Sequence, residues 1–236
     1  MTARHVVEQI MQKVPCLQHQ QPQLLGQHQL NDANVGIYFG YEMNSLPSDL
    51  KHIYFFEPEI IYESVDLDTV ILKLKPDIKL YPPPLTKFTD VTRLYHDTSH
   101  GHFIGHSQAD IKKTDRYQIV TLTQSKIDEA KKWSMDFENV NGYDGIENKQ
   151  RVLFHCSFVQ GASGSPGFWI NPRDSQAYVE LMLLCGYPTW LYDKYQGNTR
   201  GIPNDHFVEQ GVSMKSVYED VKTRDVLLCN TIFGTS

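Results

Sequence analysis

Apolar positions in this chain fall mostly in short runs punctuated by Gly, Pro, Asn and Asp, with few stretches at helical spacing. Val6, Val7, Ile10, Met11 and Val14 do recur at that spacing and predict a short amphipathic helix over Ala3 to Val14, with His5 at its start. Three β-like runs follow: Val35 to Tyr41, His52 to Phe56 with a continuation to Tyr62, and Thr69 to Leu74. Pro58 limits pairing of the middle run, because proline has no N–H for a ladder. Further strands are predicted at His102 to His106, Tyr117 to Thr123, Arg151 to Val159 and His206 to Met214. The most apolar run, Ala177 to Leu184, predicts a central strand. Helices are predicted at Ser125 to Trp133 and Ser216 to Val226, each opening with a serine three residues before an acidic residue. Many short strands and few helices argue for an all-β barrel or sandwich.

The segment from Gln18 to Leu30, rich in Gln and His, has no clear period and reads as an exposed insertion. Pro82-Pro83-Pro84 stiffens the chain into an extended connector. It divides the sequence into two expected domains, 1–84 and 85–236. A net charge of −6 excludes a global basic field for nucleic acid, and the pairs Lys112-Lys113 and Lys131-Lys132 read as solvated faces. No apolar run reaches the roughly 18 residues of a membrane span, and the N-terminus has no signal-peptide core. The four cysteines, Cys16, Cys156, Cys185 and Cys229, show no zinc spacing or disulfide-scaffold density, so reduced thiols of a cytoplasmic or nuclear protein are expected. His96, His100, His102 and His106 have spacings that could gather a metal, but Asp97 to Gly101 reads as a solvated turn. No metal and no cofactor is expected.

Chemistry enters at Gly161-Ala162-Ser163-Gly164-Ser165-Pro166. A serine attacks a carbonyl only if a base removes its proton and preorganised donors receive the oxyanion. Gly161 lets the backbone turn so that its own N–H and that of Ser163 can share one hole, and Gly164 leaves room for substrate. The partners stand upstream: His5 in Thr2-Ala3-Arg4-His5-Val6-Val7 as the base, and Asp68, just before an apolar strand, as the carboxylate that fixes the imidazole tautomer. An α/β-hydrolase elbow is excluded because Ser165 occupies the place of its last glycine.

The order His, Asp, Ser and the three local sequences resemble the chymotrypsin-type serine proteases. The spacing of 95 residues from Asp68 to Ser163 is close to the roughly 93 of that template. From His5 to Asp68 the spacing is 63 against about 45, an excess similar to the Gln-rich insertion. Within this clan the chain is most similar to the intracellular trypsin-like proteases of the family with sequence similarity 111. Leu67 to Leu74, Phe103 to His106 and Glu209 to Met214 add to that likeness. The resemblance implies two antiparallel barrels of the six-stranded type and a closing C-terminal helix. Against that template the first barrel is expected to lack its opening hairpin, since His5 is the fifth residue. Ala162 stands where secreted trypsins have an aspartate, so no zymogen switch is implied.

The resemblance further implies that Ser157, six residues before the nucleophile, lies at the base of a pocket for apolar or aromatic side chains. Gln160 edges that pocket, and Leu184, Cys185 and Gly186 pair with substrate backbone. The function expected is a serine endopeptidase acting on protein or peptide substrates, with a chymotrypsin-like preference. The alternative is a truncated or inactive protease-fold protein that serves as a binding module. Neither a membrane nor a direct nucleic-acid partner is expected, and the oligomeric state is open.

Overall fold

The structure is a computed structural model and describes residues 1–12, 36–37, 53–76, 85, 100–106, 112–138, 143–158, 161–188, 191 and 203–234. Within them the chain is mostly β. The first part is an antiparallel sheet of four strands, β1 (Thr2–Ala3), β2 (Gly36–Ile37), β3 (Tyr54–Ser64) and β4 (Thr69–Leu74), in the order β1-β4-β3-β2. The second is a closed antiparallel barrel of six strands: β5 (His100–His106), β6 (Lys112–Val120), β7 (Arg151–His155), β8 (Pro166–Ile170), β9 (Ala177–Cys185) and β10 (Glu209–Ser213). Its order is β10-β7-β6-β5-β8-β9, closed by pairing of β9 with β10, which leaves no free edge. The helices are α1 (Arg4–Gln12), α2 (Gln124–Glu138), α3 (Met214–Arg224) and α4 (Val226–Phe233). The expected all-β class, with a closed barrel, a partial one and a helical C-terminus, matches this architecture.

Local expectations needed correction at identifiable points. Helix α1 begins one residue later than predicted, and Ile10 is exposed, so its buried stripe rests on Val7, which packs with Val70. Strand β3 runs unbroken through Pro58, but its register with β4 shifts between Phe56 and Ile60, where the ladder would need the missing N–H. Ser216 is not the cap of α3. Ser213 takes that place and accepts the Ser216 N–H at 3.0 Å. Likewise α2 starts at Gln124 rather than Ser125, and the Thr123 carbonyl accepts from Lys126 and Ile127. Strand β8 and helix α4 were not anticipated.

One apolar cluster joins the two parts. Ala3, Tyr62, Leu67 and Ile71 from the sheet pack with Val179, Met182, Leu184, Val212 and Met214 from the barrel side, and with Val217, Val221 and Cys229 of the last two helices. Polar ties reinforce it. The Tyr62 hydroxyl donates to Asp220 Oδ2, Arg224 Nη1 donates to the Glu63 carbonyl at 2.8 Å, and Asn148 Nδ2 donates to the Asp66 carbonyl at 2.9 Å. Arg224 also pairs with Asp220 at 3.0 Å and lies over the Tyr62 ring. A cavity of about 420 Å³ remains near this junction, lined by Met1, Leu85, Gly164, Pro166, Val179, Leu181, Met182 and Met214.

Candidate active site

Asp68 ends the tight turn that joins β3 to β4, and its φ of 49° lies in the left-handed region. Aspartate tolerates that conformation better than most residues. The turn is closed by Asp68 N–H donating to Val65 O at 3.0 Å, and Thr69 Oγ1 donates to Leu67 O at 2.9 Å. The Asn148 bond to Asp66 O holds the same turn from the barrel side.

Three groups of Asp68 receive the start of α1. Its carbonyl accepts Arg4 N–H at 2.9 Å, Oδ1 accepts His5 N–H at 3.0 Å, and Oδ2 lies 2.7 Å from His5 Nδ1. A helix start leaves its first N–H groups without intrahelical partners, and Ala3 has no side chain to cap them. Asp68 supplies that cap from a distance of 63 residues in sequence. An ionised carboxylate can only accept, so this contact selects the His5 tautomer with hydrogen on Nδ1 and leaves Nε2 with a lone pair. Arg4 forms an ion pair with Glu63 on β3 and anchors the helix start to the sheet.

Ser163 lies in the turn Ala162–Ser165 between β7 and β8, which closes by Ser165 N–H donating to Ala162 O at 3.0 Å. Gly164, at φ +91°, takes the position that demands a positive φ, and Gly161 before the turn stands at φ +94°. Two bonds pin the turn on β9: Gly164 N–H to Leu183 O at 2.8 Å and Leu183 N–H to Ser165 O at 2.9 Å. Ala162 is buried in the barrel core with Phe103, Phe158 and Leu183, which leaves half-buried Ser163 on the outer side of the turn. Among the described residues, no backbone acceptor engages the N–H of Gly161 or Ser163.

Gly164 brings the two halves of the site together, and this corrects the expectation that its space serves substrate. A Cβ there would stand 2.7 Å from Thr2 Oγ1 and 3.8 Å from Ala3 N. The turn carrying Ser163 therefore abuts the strand that leads directly into His5.

The residues expected to bind substrate divide. Leu184 is fully buried in the shared core, so only its backbone remains for pairing. Cys185 ends β9 opposite Gln210, and Gly186 follows it out of the sheet. Burial pushes the Cys185 thiol up to about 11; Arg151 opposes this, while Asp68 and Glu209 add to it, so the end of β9 senses both carboxylates. Ser157 is exposed, and its N–H donates to Asp115 Oδ2. Gln160 lies outside the described residues.

Sequence reasoning missed the groups beside Ser157. Cys156 Sγ donates to Glu209 Oε2, and the Glu209 carboxyl is fully buried with no partner for Oε1 among the described residues. Burial holds that carboxyl up at about 8; the Cys156 bond lowers it and nearby Asp115 raises it. The available signal was one charged residue at the head of Glu209–Ser213, all of whose side chains are buried. His100, His102 and His106 all lie on β5, and His96 is outside the described residues. Among the described residues no group of three or more His, Cys, Asp or Glu is arranged to hold a metal ion.

No protein-family model matches the chain, and no curated protein matches it. Solved structures similar to it include the protease Rv3671c in an inactive form, at 12% identity and a TM-score of 0.43, over 73% of this chain and 68% of that one. A serine-to-alanine mutant of Rv3671c from M. tuberculosis H37Rv, also inactive, is similar at 12% identity and a TM-score of 0.42, over 73% of this chain and 65% of that one. This chain thus corresponds to about two thirds of the length of those proteins. No helix among the described residues is long and apolar enough to cross a membrane.

Proposed function

We propose that the chain is a serine endopeptidase of the chymotrypsin type. The observation that carries this reading is the convergence of three segments: Asp68 grips both the backbone and the ring of His5, and the turn of Ser163 lies against the residues just before His5.

In this reading Ser163 Oγ attacks the peptide carbonyl while His5 Nε2 takes its proton, and Asp68 stabilises the imidazolium that results. The oxyanion that forms on the former carbonyl oxygen is received by the N–H groups of Gly161 and Ser163. His5 then donates its proton to the leaving amine, and water, activated by the same imidazole, releases the acyl group from Ser163. The substrate is a protein or peptide whose backbone pairs along Leu184, Cys185 and Gly186. No cofactor enters any step.

The test is labelling with a fluorophosphonate probe, which reacts only with an activated serine. Labelling of the wild-type protein, and its loss in Ser163→Ala and His5→Ala, is the expected result. A folded wild-type protein that takes up no probe at Ser163 would overturn the reading and leave a protease-fold binding module in its place.

A further inference from the structure

We infer that the cavity at the junction of sheet and barrel is a binding site for a small uncharged aromatic molecule, and that its occupant holds the serine turn against the strand that leads to His5. The site stands apart from the endopeptidase reading; only its effect on the reactivity of Ser163 rests on that reading.

The cavity owes part of its existence to Gly164. At φ +91° this position disfavours a side chain, and a Cβ there would stand 2.7 Å from Thr2 Oγ1. On this side the junction is therefore walled by bare backbone and by Pro166, and a volume of about 420 Å³ stays open. Small-molecule sites span roughly 300–1,000 Å³, so the space suits a guest of one or two rings. The floor is made by Val179, Leu181, Met182 and Met214, all buried. Met1 and Leu85, which are 39% and 52% exposed, form the mouth and give a solute its way in.

The lining selects the chemistry of that guest. Among the described residues it contributes no charged, hydroxyl or amide side chain, so an ion would shed its hydration shell here with nothing given in return. Three of its eight residues are methionines, Met1, Met182 and Met214. Their polarisable thioethers make favourable contacts with aromatic rings, and their unbranched chains adapt to the shape of a flat guest.

Position supplies the consequence. Gly164 belongs to the serine turn, which its N–H fastens to Leu183 O at 2.8 Å. Met1 adjoins Thr2, which pairs with Val70 on β4, and two residues further on the chain enters α1 on the carbonyl and carboxylate of Asp68. A guest that touches Gly164 and Met1 at once buries apolar surface only while the two segments are seated together. By linkage it favours the seated state, in which His5 and Ser163 are neighbours.

The experiment titrates 2-acetylnaphthalene and its ionised isostere 2-naphthoate, by calorimetry, into the wild-type protein and into Ser163→Ala, Leu85→Asp and Val179→Phe. Wild type and Ser163→Ala should bind the ketone equally, and the wild type should bind the carboxylate at least tenfold more weakly. Leu85→Asp sets a charge in the exposed mouth and Val179→Phe sets a ring in the cavity, so each should weaken the ketone at least fivefold. Near-UV circular dichroism checks that the variants fold, and Leu85→Asp carries the test if Val179→Phe does not. At saturation the ketone should slow hydrogen exchange of the Arg4, His5 and Gly164 amides at least threefold, followed by NMR, and should quicken fluorophosphonate labelling of Ser163 at least twofold. Absence of ketone binding, equal affinity for 2-naphthoate, or unchanged affinity in every cavity variant that folds would overturn the site. Binding with unchanged exchange at those three amides would overturn the hold on the serine turn. Binding and slowed exchange in a protein that takes up no fluorophosphonate would sink the endopeptidase reading alone, whereas labelling at a rate indifferent to the ketone would sink the effect on Ser163 alone.

Discussion

Replacing Gly164 by alanine probes whether the N-terminal strand is seated against the serine turn. Two costs arise, and they have different origins. At φ +91° an L-residue is disfavoured, by about 1–2 kcal/mol. The new methyl would also stand 2.7 Å from Thr2 Oγ1, and overpacking of this kind costs about 1–3 kcal/mol. The lower end applies, because that oxygen ends a side chain that can turn about χ1. The single variant should therefore lose about 2–3 kcal/mol. In a Thr2→Ala background the clashing oxygen is gone, while Thr2 Cβ, at 3.7 Å, is an ordinary contact. There the loss should fall to the backbone cost of about 1–2 kcal/mol, leaving a coupling near 1 kcal/mol between positions 162 residues apart in sequence. Urea unfolding of the four proteins, followed by tryptophan fluorescence, reads these values, and unchanged m-values license the comparison. An identical cost for Gly164→Ala in both backgrounds would show that Thr2 is not against the turn, and the placement of His5 near Ser163 would fail with it.

Three further outcomes are expected. Asp68→Asn should keep the left-handed turn and an acceptor for His5 N–H but present NH2 to Nδ1, which forces the wrong tautomer. Fluorophosphonate labelling should then slow on the order of 10⁴-fold, as the same change does in the triad template, and an unchanged labelling rate would refute the role of Asp68. The Glu209 carboxyl is held up at about 8 against an ordinary 4.5, so between those values the folded protein keeps a proton that the unfolded chain has released. Its stability should fall as pH rises through that window, with a slope of up to about 1.4 kcal/mol per pH unit, and level off above it. Glu209→Gln should lack this component, and parallel pH profiles of the urea midpoint would contradict the burial argument. Arg224→Ala removes the bond to Glu63 O, the ion pair with Asp220 and the contact over Tyr62. A loss of about 1–2 kcal/mol is expected, modest because the arginine is half-exposed, and a change under about 0.5 kcal/mol would show that the tie does not hold sheet to helix.

Strands whose residues are buried by their own apolar runs were readable: β4 was predicted with its observed bounds and β9 within one residue. β8 escaped because it opens on Pro166 and contains Gly167, both weak strand formers, yet it is secured by β5 on one side and β9 on the other. α4 escaped because Val226 to Phe233 is apolar almost throughout and shows no face, and the break before it is a single extended residue, Asp225. The start of α1 has no local signal, since its cap is tertiary. At the site, His5, Asp68 and Ser163 were singled out from residue types and their order, and in the structure His5 Nδ1 lies 2.7 Å from Asp68 Oδ2. Glu209 and Asp115 could not be connected to Ser157 from sequence, because only the strand order β10-β7-β6 brings β10 and β6 to the two flanks of the strand between them.

The apolar cluster shared by sheet, barrel and terminal helices couples the stability of these elements. Ala3 and Leu67, neighbours of the His5 and Asp68 segments, lie in the same cluster as Val217 and Val221 near the far end of the chain. Local opening of the last helices would thus uncover the underside of the turn that carries Asp68, and the His5–Asp68 pair would loosen in the same event. A chain built this way would lose the His5–Asp68 geometry and its resistance to digestion together, so susceptibility to an added protease would report on the order of the site.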